Sequence, residues 1–267
     1  MDCELKDMST YVMSDIHGCY DELNEMLQKV KFCDEDTLIV AGDYIDRGKQ
    51  NFEMLEWITN PPDNVVLIKG NHDVEFTQYV KLMDEVYCEY INDGSEDTSE
   101  TTSRIIDSLD NNTLNLSHFD YYGTIYSIVL NEGVTLAQLR NWSDVINKLP
   151  YVYKTKINDI DHIIVHAGYI EDESQIFGIE PEWFYLYARE EAYTMGGKDN
   201  SVIIAGHTPT ISTDMLTYTG GEIFKYFDKS RNITFYDIDC GAVFRRSYKG
   251  ARLACLRLED YKEFYLD

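Results

Sequence analysis

Short apolar runs alternate with amphipathic stretches through the first third of the chain. TYVMS at 10–14, TLIVA at 37–41 and VVLIK at 65–69 are each too short for a stable helix and rich in β-branched residues, which predicts buried strands. Between them, residues 21–31 carry Leu23, Met26, Leu27 and Val30 at helical spacing, and residues 52–58 return to the same period. This β-α-β-α-β order predicts a largely parallel sheet with helices on its faces.

Further along, residues 72–90 are predicted as a helix. The stretch INDGSEDTSETTS at 91–103 is acidic and rich in Ser and Thr, which predicts a loop or insertion. A helix is predicted over 134–149, ending at Pro150. Strands are predicted over 151–156, 162–165, 201–205, 233–238 and 252–258, some of them antiparallel. The fold class that accommodates both halves is α/β, with two mixed β-sheets in a central sandwich flanked by helices. No internal repeat or linker divides the chain. A single domain over 1–267 is expected, with a variable helical and acidic insertion around 76–150.

Composition narrows the function. The 267 residues are 44% hydrophobic and 13% aromatic, enough for a sizeable core. The formal net charge of -25 repels nucleic acid polymers and anionic membranes. It also conflicts with binding an anionic substrate, unless bound cations dominate the local field. The 6 cysteines, Cys3, Cys19, Cys33, Cys88, Cys240 and Cys255, form no CxxC pair and no disulfide framework. With no signal-like N-terminus and no apolar run long enough to span a bilayer, a reducing cytoplasm is expected.

The chemistry lies at the ends of the apolar runs. Asp15 and His17 follow the first, Asp43 the second, and Asn71 and His72 the third. His166 follows HIIV, and His207 follows VIIAG. Ligand sites in open α/β sheets form outside the carboxyl ends of the strands. Repetition of Asp, Asn and His at these ends therefore predicts convergence. A lone histidine there is more often a satisfied core residue, but of the 6 histidines only His118 and His162 lie outside these positions. Carboxylate, amide oxygen and imidazole together suit borderline divalent ions such as manganese, iron or zinc. Two such ions can share an aspartate, clamp an in-line displacement at phosphorus and lower the pKa of a bridging water towards neutrality.

These residues fall in recognisable motifs. DIHG at 15–18, GDYIDRG at 42–48 and GNHD at 70–73 resemble the three motifs of the calcineurin-like metallophosphoesterases. The DRG ending is similar to the PPP group of Ser/Thr protein phosphatases. HAG at 166–168 and GHTP at 206–209 resemble the later histidine motifs, and IDCGAV at 238–243 is similar to the closing segment of the bacterial and phage branch. The motifs come in family order, and 76–150 matches only vaguely.

The resemblance implies a centre of two divalent metal ions, manganese first, with iron or zinc as alternatives. One ion would be held by Asp15, His17 and Asp43. The other would be held by Asp43, Asn71, His166 and His207, with Asp43 bridging. A hydroxide between the ions would attack phosphorus, and His72 would be the general acid. Asp46 would orient its ring and favour the protonated form. Arg47 would clamp the phosphoryl group, and Asn71 would also contact substrate. Arg189 resembles a second clamp, against the alternative of a surface arginine paired with a glutamate. Arg245 and Arg246 are weaker candidates. Asp239 would orient a ligand or an arginine, or serve the fold alone.

Two substrate classes follow from the resemblance. The first is phosphoprotein or phosphopeptide, at phosphoserine or phosphothreonine, with small phosphoesters and phosphotyrosine also accepted. The second is a dinucleoside polyphosphate such as diadenosine tetraphosphate. Asp46 favours the first; Asp73, where protein phosphatases usually carry Glu, leaves specificity open. A retired, metal-binding scaffold is a third reading, opposed by the presence of His72, Asp46 and Arg47 together. The acidic stretch near 94–103 is expected either to border the cleft and favour basic peptides or to be a solvated loop far from the site. The oligomeric state is not set by any of these features.

Overall fold

The computed structural model describes residues 8–91, 96–109, 119–120, 122–176 and 178–267. Cys3, residues 92–95 of the acidic stretch and His118 lie outside them.

Two five-stranded sheets form the centre. In the first, β1 (Thr10–Met13), β2 (Thr37–Ala41) and β3 (Val65–Ile68) run parallel. The second contains β4 (Val152–Ile157), β5 (Ile160–Val165), β6 (Ser201–Ala205), β7 (Phe224–Asp228) and β8 (Ile233–Asp237). Its order is β4-β5-β6-β8-β7, with β5, β6 and β8 parallel and both edges antiparallel. Strands β9 (Leu253–Arg257) and β10 (Lys262–Leu266) return to the first sheet as its antiparallel flank, giving β10-β9-β1-β2-β3.

Period-two alternation explains why the sheets stack. Val12, Ile39 and Ala41 face Ile164, Val202 and Ile204 in an apolar layer between the sheets. Their neighbours Tyr11, Met13, Leu38 and Val40 point the other way, into a second core. Ile163, Val165, Ile203 and Ala205 do the same on the far side of the second sheet. A strand buried on both faces reads as a continuous apolar run, which is what TLIVA and SVIIA are. Layers of this kind flanked by helices form a mixed α/β sandwich.

Helices cover both outer faces. Against the first sheet lie α1 (Tyr20–Lys29), α2 (Asn51–Thr59), α3 (Asn71–Ile91), α4 (Ser99–Ser108), α5 (Ser127–Glu132) and α6 (Leu136–Lys148), whose buried side chains join its outer core. Against the second lie α7 (Pro181–Tyr187) and α8 (Glu190–Thr194), through Phe184 and Ala192. Among the described residues no helix is long and apolar enough to cross a membrane.

The acidic stretch corrects the expectation of a loop. Thr98 caps α4 by accepting the Thr101 N–H at 3.1 Å, and Thr102, Ile105 and Ile106 are buried. That stripe has helical spacing, but it begins almost where the predicted loop ends. Its described part, 96–103, lines neither cleft beside the candidate site.

Candidate metal centre

The loops after β1, β2, β3, β5 and β6 converge at one end of the sandwich. Asp15, His17, Asp43, Asp46, Arg47 and His207 all have left-handed backbone, with φ between 46° and 80°. Asp and His tolerate this region better than most residues, but each instance still costs about 1–3 kcal/mol, which the packed sandwich must outweigh. The loops are tied to one another as if the sheet continued. The N–H of Asp15 donates to the Gly42 carbonyl at 3.1 Å, and that of His17 to the Asp43 carbonyl at 2.9 Å. Close approach demands glycine at two points: a Cβ on Gly206 would collide with the Asp15 carboxylate, and one on Gly70 with that of Asp43.

Asp43 is the hub. Its Oδ2 lies 3.5 Å from Nε2 of His17 and 3.5 Å from Nε2 of His166. Its Oδ1 accepts the His72 N–H at 3.0 Å. Two groups of donors share it: Asp15, Asp43 and His166, and His17, Asp43 and His72, all buried. The expected ligand sets, Asp15 with His17 and Asn71 with His166 and His207, draw on both groups, and Asp43 is common to them.

The donor atoms fit a cation. His17 Nδ1 donates to the Ile45 carbonyl and His166 Nδ1 to the Ala41 carbonyl, both at 2.8 Å. Each imidazole therefore presents an Nε2 lone pair to the site. His166 Nε2 faces Asn71 Oδ1, another acceptor, at 2.9 Å, and His207 Nδ1 lies 3.0 Å from the same oxygen. Burial lowers the His166 pKa, so a second proton on its ring is disfavoured. Asn71 keeps its oxygen there although its buried Nδ2 has no partner among the described residues. A metal ion among these acceptors relieves the contact.

The electrostatics agree with this arrangement. Burial, reinforced by Asp15 and Asp73, raises Asp43 well above the usual carboxylate range. Burial, with the charges of His72 and Arg47, holds His17 well below the usual imidazole value. A pocket crowded with carboxylates and kept from water favours cations.

Around these donors stand the remaining expected residues. His72 Nδ1 pairs with Asp46 Oδ2 at 2.7 Å. Arg47 donates to His72 Nε2 at 2.9 Å and to His17 Nε2 at 3.2 Å. Arg189 reaches Thr208 Oγ1 at 3.3 Å and lines the same cleft as Asp15, Asp43 and Arg47. Asp239 is buried and accepts the Gly241 N–H at 2.9 Å, and the fields of Asp15, Arg47 and Arg189 act on it. Arg245 pairs with Glu22 at 2.8 Å and lines neither cleft. His162, outside the motifs, is satisfied by the Ile160 carbonyl and the Tyr261 hydroxyl.

Other residues at the site were not foreseen. Thr124 Oγ1 donates to Asp46 Oδ1 at 2.7 Å, and the Asp120 N–H approaches the same carboxylate at 3.2 Å. Both come from the vaguely matched segment, far away in sequence, and no local signal marks them. Asp73, the departure from the protein-phosphatase motif, takes a structural place. It is fully buried, and its carboxylate accepts the N–H groups of Asp43, Tyr44 and Gly70 at 2.8, 3.0 and 2.8 Å. It joins the second motif to the third and lines neither cleft.

A calcineurin-like phosphoesterase family model matches residues 8–236. The chain belongs to that family. Calcineurin-like phosphoesterases use a binuclear divalent metal centre, in keeping with the shared carboxylate of Asp43. The chain is similar to a symmetrical bis(5'-nucleosyl)-tetraphosphatase of Buchnera aphidicola, 47% identical over 68 residues. That match spans 25% of this chain and only 24% of the relative. Among solved structures, one described as a putative diadenosine tetraphosphatase aligns over 99% of this chain and 95% of its own, with TM-score 0.53 and 15% identity. A cold-active protein tyrosine phosphatase aligns over 97% of this chain and 79% of its own, with TM-score 0.50 and 14% identity. Both likenesses are of fold.

Proposed function

We propose that this phosphoesterase hydrolyses phosphomonoesters, with phosphoserine and phosphothreonine proteins or peptides as its substrate class. The single observation that carries the two-metal reading is Asp43 Oδ2, 3.5 Å from imidazoles on both halves of the sandwich. Asp15, His17 and Asp43 would hold one ion; Asp43, Asn71, His166 and His207 would hold the other. When bound, two divalent cations supply Lewis-acid stabilisation of the phosphoryl group and an activated water. Manganese is the first choice for both, with iron or zinc as alternatives, and a reducing cytoplasm fits the thiol chemistry.

The residues around the ions supply the rest. Arg47 and Arg189 bind and orient the phosphoryl oxygens through their planar forks. His72 donates a proton from Nε2 to the leaving oxygen, while Asp46 holds the other face of the ring. Arg47 covers that Nε2 in the substrate-free arrangement. A phosphoryl group gives Arg47 a stronger partner and frees the nitrogen to carry its proton. Asp239 is a positioning residue for the Asp15 side of the centre.

The relative's name favours a second reading, hydrolysis of dinucleoside polyphosphates. One assay separates the two: release of inorganic phosphate from phosphopeptides against release of nucleotides from diadenosine tetraphosphate. Faster phosphopeptide turnover supports the proposal. Turnover of the dinucleotide far above that of every phosphopeptide overturns it.

A further inference from the structure

A second cleft, of about 480 Å³, adjoins the candidate metal centre. Arg189 and His207 line both, so the two are neighbours. Its outer wall is aromatic. Trp183 and Tyr187 stack at 6.3 Å between centroids with an interplanar angle of 29°. Tyr187 also meets the His207 ring edge-on at 6.2 Å. Its hydroxyl donates to Oε1 of the buried Glu75 at 3.0 Å, which fixes the ring. Trp183 is 42% exposed, so a face of this wall remains open to an occupant.

The charged lining of this cleft is mostly acidic, whereas a phosphoryl group at the centre would meet Arg47, Arg189 and the bound cations. Glu190, Glu191 and Asp214 line it, and Arg189 at the neck is its one cationic lining residue among those described. Carboxylates interleaved with aromatic faces are the chemistry that binds an ammonium or guanidinium group, through ion pairs at the rim and cation–π contact with the indole. A polyphosphate entering from the metal centre would instead bring negative charge onto Glu190 and Glu191. Arg189, one of the two expected clamps, stands where this cleft meets the metal centre, so a segment joined to a bound phosphoryl group has this cleft beside it.

We propose that this cleft binds the peptide segment next to the phosphorylated residue and selects Lys or Arg there. The inference rests on the phosphoprotein reading above and deepens it. Trp183 and Tyr187 take the side-chain stem and head group, and Glu190, Glu191 and Asp214 take the charge. Arg189 marks the boundary between the phosphate and its cationic neighbour.

The test uses the metal-loaded protein and one phosphoserine peptide with Lys, Ala or Glu at the flanking positions, with p-nitrophenyl phosphate reporting on the metal centre. In the wild type, kcat/KM for the Lys peptide is expected to exceed that for the Glu peptide by about tenfold at low salt, falling as salt rises. In the triple variant Glu190→Gln, Glu191→Gln, Asp214→Asn, that ratio should fall to about twofold or less. Trp183→Ala should cost the Lys peptide about threefold relative to the Ala peptide. Equal turnover of the three peptides by the wild type overturns this inference and leaves the phosphoprotein reading standing. Turnover of p-nitrophenyl phosphate but of no peptide overturns both. A Trp183→Ala loss confined to diadenosine tetraphosphate would assign the aromatic wall to a base and overturn the inference as well.

Discussion

Replacing Asp73 with alanine tests the structural role found for it. Its carboxylate accepts three backbone N–H groups, from Asp43, Tyr44 and Gly70, at 2.8, 3.0 and 2.8 Å. All of them are shielded from water. A hydrogen bond to a charged group contributes about 1.5–3 kcal/mol net, so the gross loss is about 5–9 kcal/mol. Removing a costly buried carboxylate offsets part of that. Burial raises the Asp73 pKa to about 7 even with three N–H donors holding it down. The net destabilisation is therefore expected near 3–5 kcal/mol, at the upper end for a single substitution. Asp73→Asn keeps the oxygen that serves two of the N–H groups and turns an NH2 towards the third, so it should cost about 1–2 kcal/mol. Urea unfolding of metal-free protein measures this. The alanine variant should shift the midpoint by about 1–2 M at unchanged slope, with the asparagine variant between it and the wild type. An alanine variant within about 1 kcal/mol of the wild type, or an asparagine variant less stable than it, would refute the reasoning.

Other outcomes follow from the same geometry. His72→Asn should slow turnover of unactivated phosphoesters by about 10²–10⁴-fold while metal content, read by elemental analysis, is retained; full activity would remove His72 from the role of general acid. Thr124→Val removes the 2.7 Å hydrogen bond to Asp46 and should reduce kcat on the same esters by several-fold with KM little changed; a change in KM alone would mean that Thr124 acts on binding. Cys88 is exposed, whereas Cys240 and Cys255 are buried with their thiols pushed up by burial, and Cys19 is raised to about 12. A thiol reagent should label Cys88 promptly in the native protein and Cys240 and Cys255 only after unfolding. Modification of either buried thiol in the native protein would contradict the packing.

Much of the site was legible because its residues sit where an apolar run stops. A strand buried on both faces writes itself as VVLI or SVIIA, and the polar residue at its end marks the loop that carries chemistry. The edge strands β7 and β10 left no such mark. FKYFD exposes Tyr226 and Phe227, and KEFYL begins with two exposed charged residues. The short helices α7 and α8, of 7 and 5 residues, are too brief for a helical period to register. Contacts of long sequence separation were beyond reach for a different reason. Thr124 meets Asp46 across 78 residues, and Tyr187 meets Glu75 across 112, so only the fold joins them. Asp73 was visible as a departure from a motif, yet its meaning depended on which way the side chain points. It points into the protein, where three N–H groups wait.

The central claim is that one carboxylate serves two metal ions, and metal stoichiometry tests it most directly. Protein loaded with manganese and then desalted should retain about two ions per chain, and Asp43→Asn, which keeps the shape of the side chain but not its charge, should lose affinity for both. Two ions retained by Asp43→Asn, or no more than one bound by the wild type at saturation, would contradict the account.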